Sequence, residues 1–401
     1  MQIARRVTLV LCLPDGTVLG SLPPLEVDFP WWQEAWPVVD AARTAHGIAV
    51  TVLRLLHGTP TAIGTGGGRV TYLAEVPEPP RAPLAAWTGG DPLADHPLRM
   101  PWARPGGPAA DLAWADSRLE ERGTPRSGPA QQNRTWNLSS LWRLPLAHGA
   151  VWLKAVPPFF AHEPCVLELL DTASVPRLLA HEDGRMLLAE IPGDDRYAAT
   201  GVSLTRMIAL LVSLQSRGSP AVDDLLALGA PDWRPPSLAA RAATAVEHAA
   251  GELALDERRR LERLVDDLAE RFVAIASCGL PDTLVHGDFH PGNVRGPDEA
   301  MVLLDWGDSG AGHPLLDRSA FLGATPEGER GVVAAEWDRL WRSAVPGCEP
   351  ERAAGLLEPV GALRQVIVYR MFLDAIEPSE RVYHAADPAH WLRRAAGLAT
   401  T

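Results

Sequence analysis

The sequence predicts an α+β protein with a β-rich lobe and a mostly helical lobe, preceded by a small α/β domain. Three observations carry that expectation. Strand-length apolar runs separated by turn residues dominate the chain as far as Gly193. From Ser203 onward the apolar residues recur at helical spacing. One stretch interrupts the helices: Leu284-Val-His-Gly-Asp-Phe-His-Pro-Gly-Asn-Val294, then the turn-type run Arg295-Gly-Pro-Asp-Glu-Ala300, then Leu303-Leu-Asp-Trp-Gly-Asp308. It reads as a β-hairpin, which folds Asn293 and Asp305 beside each other and leaves Asp288 in a loop before the first strand.

Composition narrows the function. At 401 residues the chain exceeds one ordinary domain, and 46% hydrophobic with 22% charged residues is the balance of a globular protein with a core. No apolar run approaches the ~20 residues of a membrane span. Met1 to Leu13 has a charged start and an apolar run, but the run stops at Pro14-Asp15-Gly16 without a small-residue cleavage site, so a strand entering a turn fits better than a leader. Cys12, Cys165, Cys278 and Cys348 are too far apart for a metal knuckle and read as thiols in a reducing cytoplasm. A net charge of −13 disfavours nucleic acid and anionic membrane as partners.

Asp288, Asn293 and Asp305 are the parts that phosphoryl transfer requires: a carboxylate to take a hydroxyl proton, and an amide and a second carboxylate whose hard oxygens hold Mg²⁺ on ATP. The order His286-x-Asp288-x4-Asn293, then Asp305-x-Gly307, resembles the catalytic and metal loops of the protein-kinase-like fold. His286-Gly-Asp288 and Asp305-Trp-Gly-Asp308 are similar specifically to the aminoglycoside phosphotransferase family of small-molecule kinases, as is Gly312-His-Pro-Leu-Leu-Asp317. The resemblance implies Asp288 as base, His286 as a brace for its loop, Asn293 and Asp305 as metal ligands, and Asp308 and Asp317 as supporting carboxylates. His290 is open between a structural place and one facing solvent or substrate.

Taken in order, residues 1 to 80 read as strand, turn, strand, helix, strand, strand. Val7 to Leu13 and Thr17 to Leu22 form a hairpin, Trp31 to His46 a helix kinked at Pro37 and ended by Gly47, and Ile48 to Leu56 and Arg69 to Val76 further strands. Gly64-Thr-Gly-Gly-Gly68 follows no strand-to-helix pattern and reads as a hairpin loop. Ala42 to Leu56 resembles the helix and following strand of a Nudix hydrolase domain. The helix glutamates on which that chemistry depends are replaced by Ala41, Thr44 and Ala45, so the resemblance implies a scaffold. Residues 81 to 127, rich in Pro and Gly, form a connector with a short helix at Ala109 to Arg122.

The kinase-like small lobe is expected over 128–192. Gln131 to Leu144 and Ala150 to Val156 pair as strands, and the second carries Lys154, the single lysine of the chain. A compact ammonium is what contacts the α/β-phosphates, and arginine does not replace it well. A helix follows from Phe160 to Leu170. Pro164 is tolerated only in its first turn, which puts Glu163 at the start. Glu163 and Glu168 both remain candidates for the carboxylate that orients Lys154. No glycine-rich loop precedes Lys154, so the turn within Asn133 to Ser139 has to cover the phosphates. Arg177 to Gly193 reads as a hairpin whose second strand becomes the lobe connector, with the backbone of Ala189 to Ile191 beside the adenine.

The large lobe, 193–401, is expected to hold helices at Ser203 to Ser216, Ser237 to Leu253, Asp256 to Ala276, Arg330 to Ala344, Glu351 to Ile376 and Ala389 to Leu398, with Ser203 and Asp256 as N-caps. Asp374 and Glu377, three apart, would share a helical face and hold a hydroxylated amine as acceptor. The function expected is ATP- and Mg-dependent transfer of a phosphoryl group to a hydroxyl of a small molecule. The rivals are a pseudokinase used as a binding scaffold, and a nucleotide hydrolase centred on residues 1 to 80 that lacks its metal carboxylates.

Overall fold

Strand β1 (Arg5–Cys12) is the axis of the first sheet, because Val7, Leu9, Val10, Leu11 and Cys12 are all fully buried. A computed structural model describes residues 4–61, 66–218, 221–248 and 253–399. β2 (Val18–Ser21) returns antiparallel to β1, as the Pro-Asp-Gly turn requires, and β3 (Leu25–Val27) also pairs with it. The sequence reading passed over β3, whose three residues are too few to show alternation. Helix α1 (Trp36–His46) has Pro37 in its first turn, so that proline starts the helix and does not kink it. Gly47, at φ 67°, ends it in the left-handed conformation. β4 (Thr51–Thr59) and β5 (Gly68–Glu75) pair antiparallel, and β5 runs parallel to β1, giving the order β2-β1-β5-β4. The glycine loop between them lies partly outside the described residues.

Helix α2 (Gly107–Glu121) packs through Trp114, Ala115 and Leu119 on the second sheet. That sheet holds β6 (Gln131–Trp136), β7 (Ser139–Pro145) and β8 (Ala150–Ala155). After α3 (Glu163–Leu170) it is completed by β9 (Leu178–Glu182) and β10 (Arg185–Ala189), in the order β6-β7-β8-β10-β9. Asp183 and Gly184, both at positive φ, make the tight β9–β10 turn. Lys154 sits on central β8, opposite Leu141 of β7 and Met186 of β10.

The remaining elements are largely helical: α4 (Val202–Gly218), α5 (Val222–Ala227), α6 (Pro235–His248), α7 (Leu255–Asp266) and α8 (Leu268–Ala276). Asp256 does not cap α7. Ala254 occupies the cap position, and the Glu257 carboxylate accepts its backbone N–H at 2.9 Å. Ser203 lies inside α4, and its hydroxyl donates to Asp298. Then come β11 (Thr283–Val285), β12 (Val294–Arg295), β13 (Val302–Leu303), β14 (Gly310–Gly312), α9 (Arg318–Ala324), α10 (Arg330–Ala344), α11 (Pro350–Ala375), α12 (Pro378–Arg381) and α13 (Asp387–Leu398).

The chain divides into two units. Met1–Pro158, Leu179–Glu190 and Phe372–Ala386 make the first; Phe159–Leu178, Ile191–Met371 and Asp387–Thr401 make the second. Both sheets therefore share the first unit. Their join is specific: the Gln132 side chain pairs with both the N–H and C=O of Val52 (2.8 and 2.7 Å), and residues 33–35 bond along the outer edge of β6. Covering that edge satisfies backbone groups that would otherwise be an open pairing template.

The segment 372–386 is built into the same unit. The Tyr383 ring stacks on Trp32 at 4.7 Å, and the Glu377 carboxylate pairs with Arg99 at 2.9 Å, with Arg54 at 3.9 Å. This corrects the acceptor-pocket expectation. Helix α11 ends at Ala375 and Glu377 is extended (φ −61°, ψ 147°), so Asp374 and Glu377 share no helical face. Asp374 is exposed, whereas Glu377 is buried in an ion pair inside the first unit.

Glu380, three residues on, is 1% exposed, and burial pushes its carboxyl up to about 8. A carboxyl raised in the folded state stabilises fully below its unfolded pKa, near 4.5, and that stability is lost as pH rises through about 8. Urea denaturation across pH 5 to 9 should show this decline, and Glu380→Gln should flatten it.

Candidate active site

The site is built on the loop that leaves β11. Its Phe289 is fully buried, stacked on Phe321 at 4.6 Å and edge-on to Trp337, and this anchor turns Asp288 and His290 the other way. The loop closes in a single 3₁₀ turn, Pro291–Asn293, and β12 follows directly. β12 and β13 pair as Val294↔Leu303 and Arg295↔Val302, and Leu304 N–H donates to Asn293 O at 2.7 Å. Asn293 therefore lies opposite Leu304, next to Asp305.

Asn293 donates its amide N–H to Asp288 twice, to the backbone oxygen at 2.9 Å and to the carboxylate at 3.2 Å. With Nδ2 spent on Asp288, Oδ1 is the end left to act as a ligand. Asp305 is exposed and sits at φ 61°, ψ 67°, a left-handed backbone that a non-glycine residue adopts at a cost of about 1–3 kcal/mol. One carboxylate and one amide oxygen, both hard donors, suit Mg²⁺, which keeps several waters and takes further oxygens from phosphates. The residues fit the metal on donor chemistry.

Asp288 is half-exposed, and the His290 Nε2 stands 3.5 Å from its carboxylate. Burial works to raise Asp288, but the hydrogen bond and charge of His290 hold it below the usual carboxylate range. His290 Nδ1 accepts the N–H of Gly292 at 3.0 Å, so the proton is on Nε2, facing Asp288. The Tyr197 ring stacks on the imidazole at 5.4 Å.

His286 is fully buried. Its Nδ1 accepts the N–H of Asp288 at 3.3 Å, and its Nε2 donates to Leu304 O at 2.8 Å, tying the loop to the end of β13. Burial depresses its pKa, which keeps the ring neutral and this tautomer fixed.

Beneath the loop lies Asp317, 1% exposed. Its two oxygens accept the N–H groups of His286 (2.9 Å) and Gly287 (2.7 Å), and Gln215 donates to it at 3.0 Å. Burial raises this carboxyl, partly offset by His286 and those two N–H groups. Arg364 from α11, also buried, donates to Gly287 O at 3.1 Å and to Asp308 O at 3.4 Å, joining the two functional loops. A Cβ at Gly287, where φ is 91°, would collide with Asp308 O and the Arg364 guanidinium. That close approach explains glycine in His-Gly-Asp.

Of the two glutamates proposed for α3, Glu163 is buried at the helix start and accepts the N–H of Trp306 at 3.3 Å, whereas Glu168 is exposed. Lys154 and Ala189 belong to the first unit, and Ile191 to the second. Sequence reasoning missed Arg364, Gln215, Trp233 and Tyr369. The guanidinium groups of Arg364 (4.5 Å) and Arg241 (4.4 Å) both lie over the Trp233 ring. The Tyr369 hydroxyl is raised by burial and by the carboxylates of Asp387, Asp288 and Asp308. No local pattern marks these residues, since each reaches the site from a distant helix or loop.

Residues 133–354 match the family model described as the phosphotransferase enzyme family, APH. Among solved structures, a macrolide 2′-phosphotransferase type I aligns at 17% identity and TM-score 0.52, covering 70% of this chain and 97% of its own. A macrolide 2′-phosphotransferase from Brachybacterium faecium aligns at 17% and 0.51, with coverage of 69% and 98%. A putative aminoglycoside phosphotransferase from Ralstonia eutropha aligns at 14% and 0.50, with coverage of 73% and 98%. At such identities these likenesses show the fold, which is protein-kinase-like. No curated protein matches the sequence.

Asp317→Ala would leave the His286 and Gly287 N–H groups buried without an acceptor, at about 1–3 kcal/mol each. Amide exchange at these two positions should become faster in that variant. Unchanged protection would show that Asp317 does not brace the loop.

Proposed function

Because the chain belongs to the phosphotransferase enzyme family, we propose that it moves the γ-phosphoryl group of ATP to a hydroxyl of a small molecule. The observation that carries this reading is the Asn293 amide, which clamps Asp288 through Nδ2 and so leaves Oδ1 as the end that could bind a metal. One side chain thereby both holds the proposed base and offers a proposed metal ligand. Positioning and charge neutralisation supply most of the acceleration in this chemistry.

Asp288 accepts the proton of the acceptor hydroxyl as its oxygen bonds to the γ-phosphorus and ADP leaves. His290, 3.5 Å from the Asp288 carboxylate, helps to hold it in place. Asn293 and Asp305 would hold Mg²⁺, which neutralises charge between the β- and γ-phosphates. Lys154 holds the α/β-phosphates with Glu163 as its partner, and the backbone at Ala189 and Ile191 meets the adenine. Burial of Glu163 supports it over Glu168.

A hydroxylated amine remains the acceptor class proposed, without the Asp374–Glu377 pair, and the net charge of −13 suits a cationic acceptor. For the first sheet we propose a Nudix-like scaffold without hydrolytic chemistry, since Ala41, Thr44 and Ala45 occupy the positions where that family carries glutamates. Four free thiols support a cytoplasmic setting.

A panel of hydroxylated amines, incubated with protein, ATP and Mg²⁺, tests the reading by mass spectrometry of phosphorylated product. Asp288→Asn should lower turnover by about 10² or more while ATP affinity stays within a factor of about two. Retention of a tenth of wild-type turnover would remove Asp288 as base. Asp305→Ala should weaken Mg²⁺-dependent ATP binding itself, measured by calorimetry, and unchanged affinity would take it out of the metal site.

A further inference from the structure

In a kinase-like small lobe, a glycine-rich turn between the first two strands covers the triphosphate. Here that turn joins β6 to β7, and it has no glycine: Trp136, Asn137, Leu138 and Ser139 occupy it. Such a turn is expected to be loose and to order on the nucleotide. Asn137 and Leu138 are instead buried, at 5% and 6% exposure.

The cause is the segment 372–386, far away in sequence. The Glu380 carboxylate accepts the backbone N–H of Asn137 at 3.0 and 3.2 Å, and the Asn137 side-chain oxygen accepts the N–H of Glu377 at 3.3 Å. Glu377 is fixed by Arg99, Tyr383 by its stack on Trp32, and Trp136 by an edge-on contact with Trp32 at 5.9 Å. The Trp102 indole donates to Trp136 O at 3.0 Å. Both sides of the turn are thus tied to the N-terminal region and the C-terminal segment at once.

Among the described residues no cation pairs with Glu380; burying such a carboxylic acid is costly, and a hydrophobic side chain of similar size would be the cheaper solution for stability alone. Departures of that kind concentrate where position matters more than stability. We propose that Glu380 is a positioning residue for the nucleotide: by holding the Asn137 N–H it fixes the β6–β7 turn in advance, in place of a glycine-rich loop that closes on its ligand. The N-terminal sheet then has a role in the reaction, as the anchor of the segment that carries Glu380. A pre-set turn spares the ordering entropy that a mobile loop loses on binding.

This inference rests on the phosphotransferase reading, so the wild-type protein is first shown to bind and consume Mg²⁺-ATP; failure there rejects that reading and leaves Glu380 without a nucleotide to position. Two variants then separate position from folding. Glu380→Gln retains an oxygen for the Asn137 N–H and should keep the KM for ATP within about twofold. Glu380→Leu removes the acceptor and should raise that KM about tenfold, with kcat and the KM of the acceptor unchanged, which a general loss of structure would not do. An unchanged KM for ATP in folded Glu380→Leu overturns the proposal. A lowered KM overturns it too, because the carboxylate would then be competing with phosphate for the turn. The wild type supplies a readout that needs no variant: hydrogen exchange at the Asn137 amide should be equally slow with and without ATP. Protection that appears only with nucleotide would show a turn that orders on its ligand, and would refute the inference.

Discussion

A single buried carboxylate, Asp317, sets the geometry on which the site depends. Its two oxygens hold consecutive N–H groups of His286 and Gly287, and those bonds fix the peptide that leads into Asp288. Burying this charge is unfavourable, as the upward push on its pKa shows, and Gln215 and the two N–H groups compensate it. Arg364 adds the complementary restraint from the other side, through the Gly287 and Asp308 carbonyls. The loop is held by its backbone from below, which leaves the Asp288 carboxylate to His290 and Asn293.

The hairpin was legible in the sequence because its determinants are local. A turn run between two apolar strands implies its own register, and the pairing of Val294 with Leu303 is the pairing that a turn there demands. Glu163 was legible up to a choice, because Pro164 constrains where the helix begins, and burial separates it from Glu168. The pair Asp374 and Glu377 was misread for a related reason. Spacing of three implies a shared face only while the helix lasts, and Ala375 is its last residue. Glu377 directly precedes Pro378, which pushes it out of the helical region, and Arg99, 278 positions away in sequence, then holds its carboxylate.

The N-terminal region shows the same limit on a larger scale. Its strands and the Gly47 helix stop follow from alternation and turn chemistry. Its association with the small-lobe sheet does not, because Gln132 and residues 33–35 look like ordinary polar surface until they meet. In the folded chain the two sheets form one unit, closed by residues returning from the C-terminal end. The Tyr383–Trp32 stack and the Glu380–Asn137 bond are interactions between segments that no periodicity connects.

The central claim is that Asp288, Asn293 and Asp305 form a Mg²⁺-dependent phosphoryl-transfer site. It can be tested without knowing the acceptor, since water supplies a hydroxyl wherever a small acceptor fits. The measurement is phosphate release from ATP by the full chain, with and without Mg²⁺, beside the same assay on Asn293→Ala. The account predicts slow release that requires Mg²⁺ and is lost in the variant; release that is independent of the metal, or that survives removal of the Asn293 amide, would contradict it.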